Sequence, residues 1–176
     1  AYGIDEIALV PGKRTLDYEL TDPSWLIGDF KREVPIVASA MDSVVDVNTA
    51  VELTKLGALG VINMEGIQTR YKDPDEILNQ IASVGKTDFV PLMQKIYSEP
   101  VKEELILQRI NEVKERGGIA AFSGTPQAAI KFKETLNNSQ IDLFFLQGTV
   151  VSTEHLGMDG NETLNTGWSL VSSQVG

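Results

Sequence analysis

The chain has 176 residues, 42% hydrophobic and 23% charged, with a formal net charge of -10, one histidine and no cysteine. The missing cysteines exclude a disulfide framework, a thiolate metal site and a cysteine nucleophile within these residues, and the acidity argues against a nucleic-acid partner, which needs a clustered basic surface. The length suits one domain with a sizeable core; no apolar run approaches the ~20 residues of a membrane helix and no charged-then-apolar leader opens the chain, so a cytoplasmic protein with no membrane partner is expected.

Residues 1–33 lack a helical period and carry turn signals at Pro11-Gly12, Asp22-Pro23 and Gly28-Asp29, so they read as an N-terminal arm. Two apolar pieces within it, Ile7 to Val10 and Trp25 to Ile27, are predicted to pair as strands. Val34 to Ala40 then reads as a buried strand opening into a polar turn. Asp46 is a good N-cap for a helix in which Val47, Ala50, Val51 and Thr54 recur on one face and which Gly57 stops. Leu59 to Asn63 is a second buried strand.

Asp73-Pro74 starts another helix, with Ile77, Leu78 and Ile81 on one side. Gly85 to Glu99 reads as irregular. Ser98-Glu99-Pro100 opens a longer amphipathic helix that buries Leu105, Ile106, Ile110 and Val113 and ends at Gly117-Gly118. Ile119 to Phe122 is a third strand, Thr125-Pro126 starts a helix running to about Asn137, and Ile141 to Leu146 is a fourth strand. Beyond His155 the pattern dissolves, and 157–176 is an irregular Gly, Ser, Thr and Asn-rich tail.

Short apolar strands alternating with helices mean a parallel sheet covered by helices. A doubly wound dinucleotide fold would carry a glycine fingerprint after its first strand, and this chain has Ser39-Ala40-Met41-Asp42 there. Four strand-helix units with polar residues at the strand ends fit part of a (β/α)8 barrel of the TIM type, spanning 34–156.

Several residues invite a functional reading. Ser39, Met41 and Asp42 stand at the first strand's C-terminal end, where barrels place their sites, although Met41 could be core and Asp42 a helix cap. Glu65, Gln68 and Arg70 follow the second strand, either as a solvated loop or as ligand contacts. His155 has neither a second histidine nor a cysteine to form a triad or a metal site with, so the metal expectation is none. The acid pairs Asp73 with Asp75 and Glu103 with Glu104 suit helix starts. Trp25 is expected to pack the arm under the barrel, and Trp168 falls in the tail.

Three stretches carry a resemblance: Tyr2 to Gly12 (YGIDEIALVPG), Pro35 to Asp42 (PIVASAMD) and Gly57 to Asn63 (GALGVIN). In order and spacing, to about Asn165, the chain resembles the IMP dehydrogenase and GMP reductase family. NMEGIQTRY is similar to the branch without the CBS domain pair, and 85–117 is too short to hold that pair.

The resemblance implies a (β/α)8 barrel that oxidises IMP to XMP with NAD in purine and GMP biosynthesis, working as a homo-oligomer, commonly a tetramer. It implies Ser39 and Met41 in the IMP pocket, and Gln147 and Thr149 at the cofactor. Gln147 stands where the family usually has an acid, Gly148 where it has a serine, and Asn63-Met64-Glu65 where other branches carry paired histidines. The family's catalytic cysteine loop, phosphate-binding segments, mobile flap and any monovalent cation site have no counterpart in these residues, so no catalytic residue is expected here and the isolated chain is expected to be inactive. Thr166 to Gly176 does not resemble the family's continuation, as a truncated or misread frame would produce. A GMP reductase fragment, a non-catalytic half-barrel binding or assembly module, and another phosphate-binding barrel enzyme are the alternative readings.

Overall fold

The computed structural model describes residues 4–8, 10–14 and 16–147. The first strand pair is a local hairpin, β1 (Trp25–Ile27) with β2 (Phe30–Arg32), antiparallel with Trp25 opposite Arg32. Ile7, Ala8 and Val10 belong to no strand, contrary to the predicted pairing. Gly28, at φ 55, and Asp29 close a tight turn that pairs neighbouring segments at little loop-closure cost.

The parallel strands are shorter than their apolar runs. Β3 is Val37–Ala38, since Pro35 has no N–H to give and the amides of Glu33 and Val34 are both spent on the Gly57 carbonyl. The predicted second strand divides into β4 (Leu59–Gly60) and β5 (Ile62–Asn63): β4 pairs with β3, while β5 pairs with β6 (Ala121–Gly124). Β6 starts two residues later than expected because the Ala120 N–H goes to the Asp142 carboxylate; it pairs in turn with β7 (Leu143–Leu146).

All these pairings are parallel and follow chain order, β3 with β4 and then β5, β6 and β7, with no reversal of strand order among the described residues. That succession is half a (β/α)8 barrel, and it excludes the doubly wound alternative, whose strand order reverses at a switch point.

Helix α1 (Val47–Lys55) is capped by Asp46, whose carboxylate accepts the Thr49 N–H at 2.7 Å, and it ends at Gly57 with φ 79. Α2 (Pro74–Ser83) has Pro at its first position and Asp73 as cap. Α3 (Phe89–Ser98) corrects the irregular reading of that segment. Phe89, Leu92, Met93 and Ile96 do recur at helical spacing, and Pro91 falls in the first turn, where a missing N–H costs no helical bond. Α4 (Glu103–Glu115) buries Leu105, Ile106, Ile110 and Val113 as expected. The last predicted helix is interrupted at Phe132 into α5 (Pro126–Lys131) and α6 (Lys133–Asn137). No helix of the described residues is long and apolar enough to cross a membrane.

Alternation along the strands sorts the core into two faces. Outward, Ile62, Met64, Phe122 and Phe144 meet the helix residues Val51, Ile106, Ile110 and Val113. Inward, Leu59, Val61, Ala121, Leu143 and Phe145 gather around Ile27, with Trp25 and Phe30 beside them. The N-terminal hairpin therefore plugs one end of the barrel interior.

Candidate functional site

Above that plug the inner face forms an open cavity of 620 Å³. Its floor and walls are apolar, with Trp25, Ile27, Val61 and Phe145, and its polar groups are Ser39, Ser123 and Gln147 at the C-terminal ends of the first, third and fourth parallel strands. A concave apolar surface with a few convergent polar groups is what a flat ring with polar substituents needs. Ser123 is buried and donates from Oγ to the Phe145 carbonyl at 3.0 Å, which leaves its oxygen free to accept. The Gln147 N–H is fixed on the Gly124 carbonyl at 2.9 Å, and the residue, although exposed, lines the cavity.

Of the expected site residues, Ser39 and Gln147 share this cavity. Met41 lies two residues past Ser39 with its side chain 54% exposed. Thr149, His155 and Trp168 lie outside the described residues. Ser123 was missed from the sequence; the signal was a hydroxyl ending an otherwise apolar strand.

The turn that carries Ser39 and Met41 is tightly held. The Met41 N–H bonds to the Ser39 carbonyl at 2.8 Å, and the Met41 carbonyl accepts from Val44 at 2.9 Å and Val45 at 3.0 Å. Asp42 is not the cap of α1; one carboxylate oxygen accepts the Ile67 N–H at 3.0 Å, capping the 3-10 turn Ile67–Thr69, and the other accepts the Tyr97 hydroxyl at 2.5 Å. Burial and the adjoining Asp42 carboxylate push the Tyr97 phenol well above its ordinary pKa, so it is the donor of that bond at any physiological pH. Gly66 is required beneath it, since a β-carbon there would lie 1.8 Å from the Asp42 Oδ1.

The residues after the second strand serve as anchors. The Glu65 carboxylate accepts the Thr125 N–H at 2.6 Å, joining this loop to the start of α5. Arg70 lies over the Tyr97 ring, 5.6 Å from its centroid, and donates to the carbonyls of Glu65, Tyr97 and Glu99. Gln68 is buried, with its amide nitrogen unpartnered among the described residues. Asp73 accepts from the Glu76 N–H, as its capping position requires, and Glu103 accepts the Thr135 hydroxyl. Among the described residues no group of three or more His, Cys, Asp or Glu could hold a metal ion.

The model of the IMP dehydrogenase / GMP reductase domain matches residues 1–156. The chain belongs to that family. Among its relatives, an uncharacterized oxidoreductase of Mycolicibacterium smegmatis is 31% identical over 169 residues, which cover 93% of this chain and 45% of the relative. Inosine-5'-monophosphate dehydrogenase of Methanocaldococcus jannaschii is 34% identical over 100 residues, covering 57% of this chain and 19% of that protein. An IMP dehydrogenase/GMP reductase-like protein from Corynebacterium glutamicum superposes with a TM-score of 0.78 at 29% identity, covering 88% of this chain and 43% of that structure. The chain thus spans less than half the length of each of these three relatives.

Proposed function

We propose that this chain supplies the N-terminal half of an oxidoreductase that converts IMP to XMP with NAD. The observation that carries the reading is the cavity at the C-terminal strand ends, in which a hydroxyl from the first strand, one from the third and an amide from the fourth surround an apolar floor. In this reading the Ser39 hydroxyl holds the nucleotide's polar side and the exposed Met41, two residues on, turns its polarizable thioether to the purine.

For NAD the described residues offer one fitting group, the Gln147 amide of the cavity lining, whose chemistry suits hydrogen bonds with a carboxamide or a ribose hydroxyl. NAD, when bound, supplies the hydride acceptor. The chain's own part is to bind and orient the purine and, through the apolar wall of Val61 and Phe145, to keep water from its face. With no cysteine among these 176 residues, nothing here forms the covalent adduct that the family resemblance implies, and no catalytic residue is assigned. We extend the same proposal to a barrel portion at 34–156, a cytoplasmic location and assembly as a homo-oligomer.

Calorimetric titration tests the reading. IMP should bind saturably to the chain, and Ser39→Ala should weaken it about tenfold, as loss of one hydrogen bond to a bound polar group does. Absence of binding would sink the proposal; a preference for GMP would move it to the reductase side of the family. The chain alone should form no NADH from IMP and NAD.

A further inference from the structure

We propose that Tyr97 and Asp42 are positioning residues for the nucleotide-facing turn, and that α3 reaches the candidate site through them. This inference rests on the IMP reading of the Ser39 to Met41 turn and names the groups that hold that turn in place. Asp42 directly follows Met41 and belongs to the turn itself. Its carboxylate is held from two sides by elements distant in sequence: the Ile67 N–H at 3.0 Å from the loop after β5, and the Tyr97 hydroxyl at 2.5 Å from the last turn of α3. The second bond is charge-assisted, a class of hydrogen bond about twice as strong as a neutral one.

Tyr97 is fixed in turn. Arg70 lies over its ring and donates to its carbonyl at 3.1 Å and to the Glu99 carbonyl, while the Tyr71 hydroxyl donates to the Ile96 carbonyl at 3.0 Å. The end of α3 is thereby tied to the loop after β5 at several points. The side chain that reaches out from this anchored end lands on the residue next to Met41. Gly66 lets the loop come this close, since a β-carbon there would lie 1.8 Å from the Asp42 Oδ1. Tyr97 does not itself line the cavity, so its effect on a ligand passes through the turn.

The test compares the wild-type chain with Tyr97→Phe, which keeps the ring, its stacking with Arg70 and the backbone bonds. Amide hydrogen exchange is read first, without ligand, over residues 39–45. The hydrogen-bonded amides of Met41, Val44 and Val45 should exchange about fivefold faster or more in the variant, with those of β6 unchanged. Asp42→Asn, which weakens the same bond from its other end, should do likewise; Val90→Ala, on the same helix at a 59% exposed position, should not. Unchanged exchange in both latch variants overturns the proposal, and so does acceleration that extends equally into β6, which would mean general loosening. IMP titration is the second readout, with affinity expected to fall about tenfold in Tyr97→Phe. If the wild type binds IMP and the variant binds it equally well, the positioning role is overturned. If the wild type does not bind IMP, the nucleotide reading fails, and the exchange result alone decides whether the latch holds the turn.

Discussion

Lys114 of α4 and Asp142, just before β7, form an ion pair in which the ammonium sits 2.7 Å from both carboxylate oxygens, while one of those oxygens also accepts the Ala120 N–H at 2.8 Å. This one carboxylate ties the helix to the starts of two strands. Asp142→Ala leaves a partly buried ammonium and a backbone donor without their partner and should cost about 2–3 kcal/mol by urea denaturation. Lys114→Met keeps the Ala120 bond and should cost about 1 kcal/mol. Equal losses in the two variants would show that the backbone bond contributes nothing.

Gly60 faces α1 so closely that a β-carbon would come within 2.9 Å of the Ala50 Cα. Backbone cannot swing aside as a side-chain tip can, so Gly60→Ala must push α1 off the sheet, at about 1–3 kcal/mol. A thermal midpoint within a degree of wild type would contradict the close packing.

Asp46 is a half-buried cap whose titration should be visible in stability. Burial alone would raise its pKa, but the hydrogen bonds from the Thr49 N–H and hydroxyl and from Asn48 outweigh that, and the carboxyl lies below its ordinary value. A folded-state pKa below the unfolded one gives stability that is full above about pH 4 and disappears as pH falls through the folded value. Asp46→Ala should therefore cost about 1 kcal/mol at pH 7, with the gap to wild type narrowing below about pH 4. Urea midpoints at both pH values measure it, and a gap that widens in acid would reverse the assignment.

Trp25 lines the cavity and donates its indole N–H to the Val34 carbonyl at 2.9 Å, so its ring is held in place as part of the wall. The chain has two tryptophans, and Trp168→Phe leaves Trp25 as the single reporter. In that background IMP should quench the emission saturably, with the affinity found by calorimetry. Calorimetric binding with no change in emission would put the ligand outside this cavity.

The barrel was legible because its strands are short and apolar and its helices begin with caps such as Asp46, Asp73 and Thr125, each of which accepts an amide of its own helix's first turn. Strand ends were less legible. That pairing starts at Val37 and not at Val34 depends on the Gly57 carbonyl, which is distant in sequence and claims the amides of Glu33 and Val34. Α3 was missed because Pro91 and the glycine and threonine before it looked like loop punctuation, although the apolar spacing behind them is helical. In the site, Ser39 could be placed from its position at a strand end, whereas the roles of Asp42 and Tyr97 exist only through a contact between residues 55 positions apart.

The hairpin that plugs the barrel packs Ile27 against Leu143 and Phe145, at the far end of the described chain. Long-range contacts of this kind slow folding, because the intervening loop must close before they contribute any stability. The hairpin can form early, since its own pairing is local, but it has no complete seat until the fourth strand is in place. Substitutions at Ile27 should therefore change mainly the unfolding rate and leave the folding rate nearly untouched.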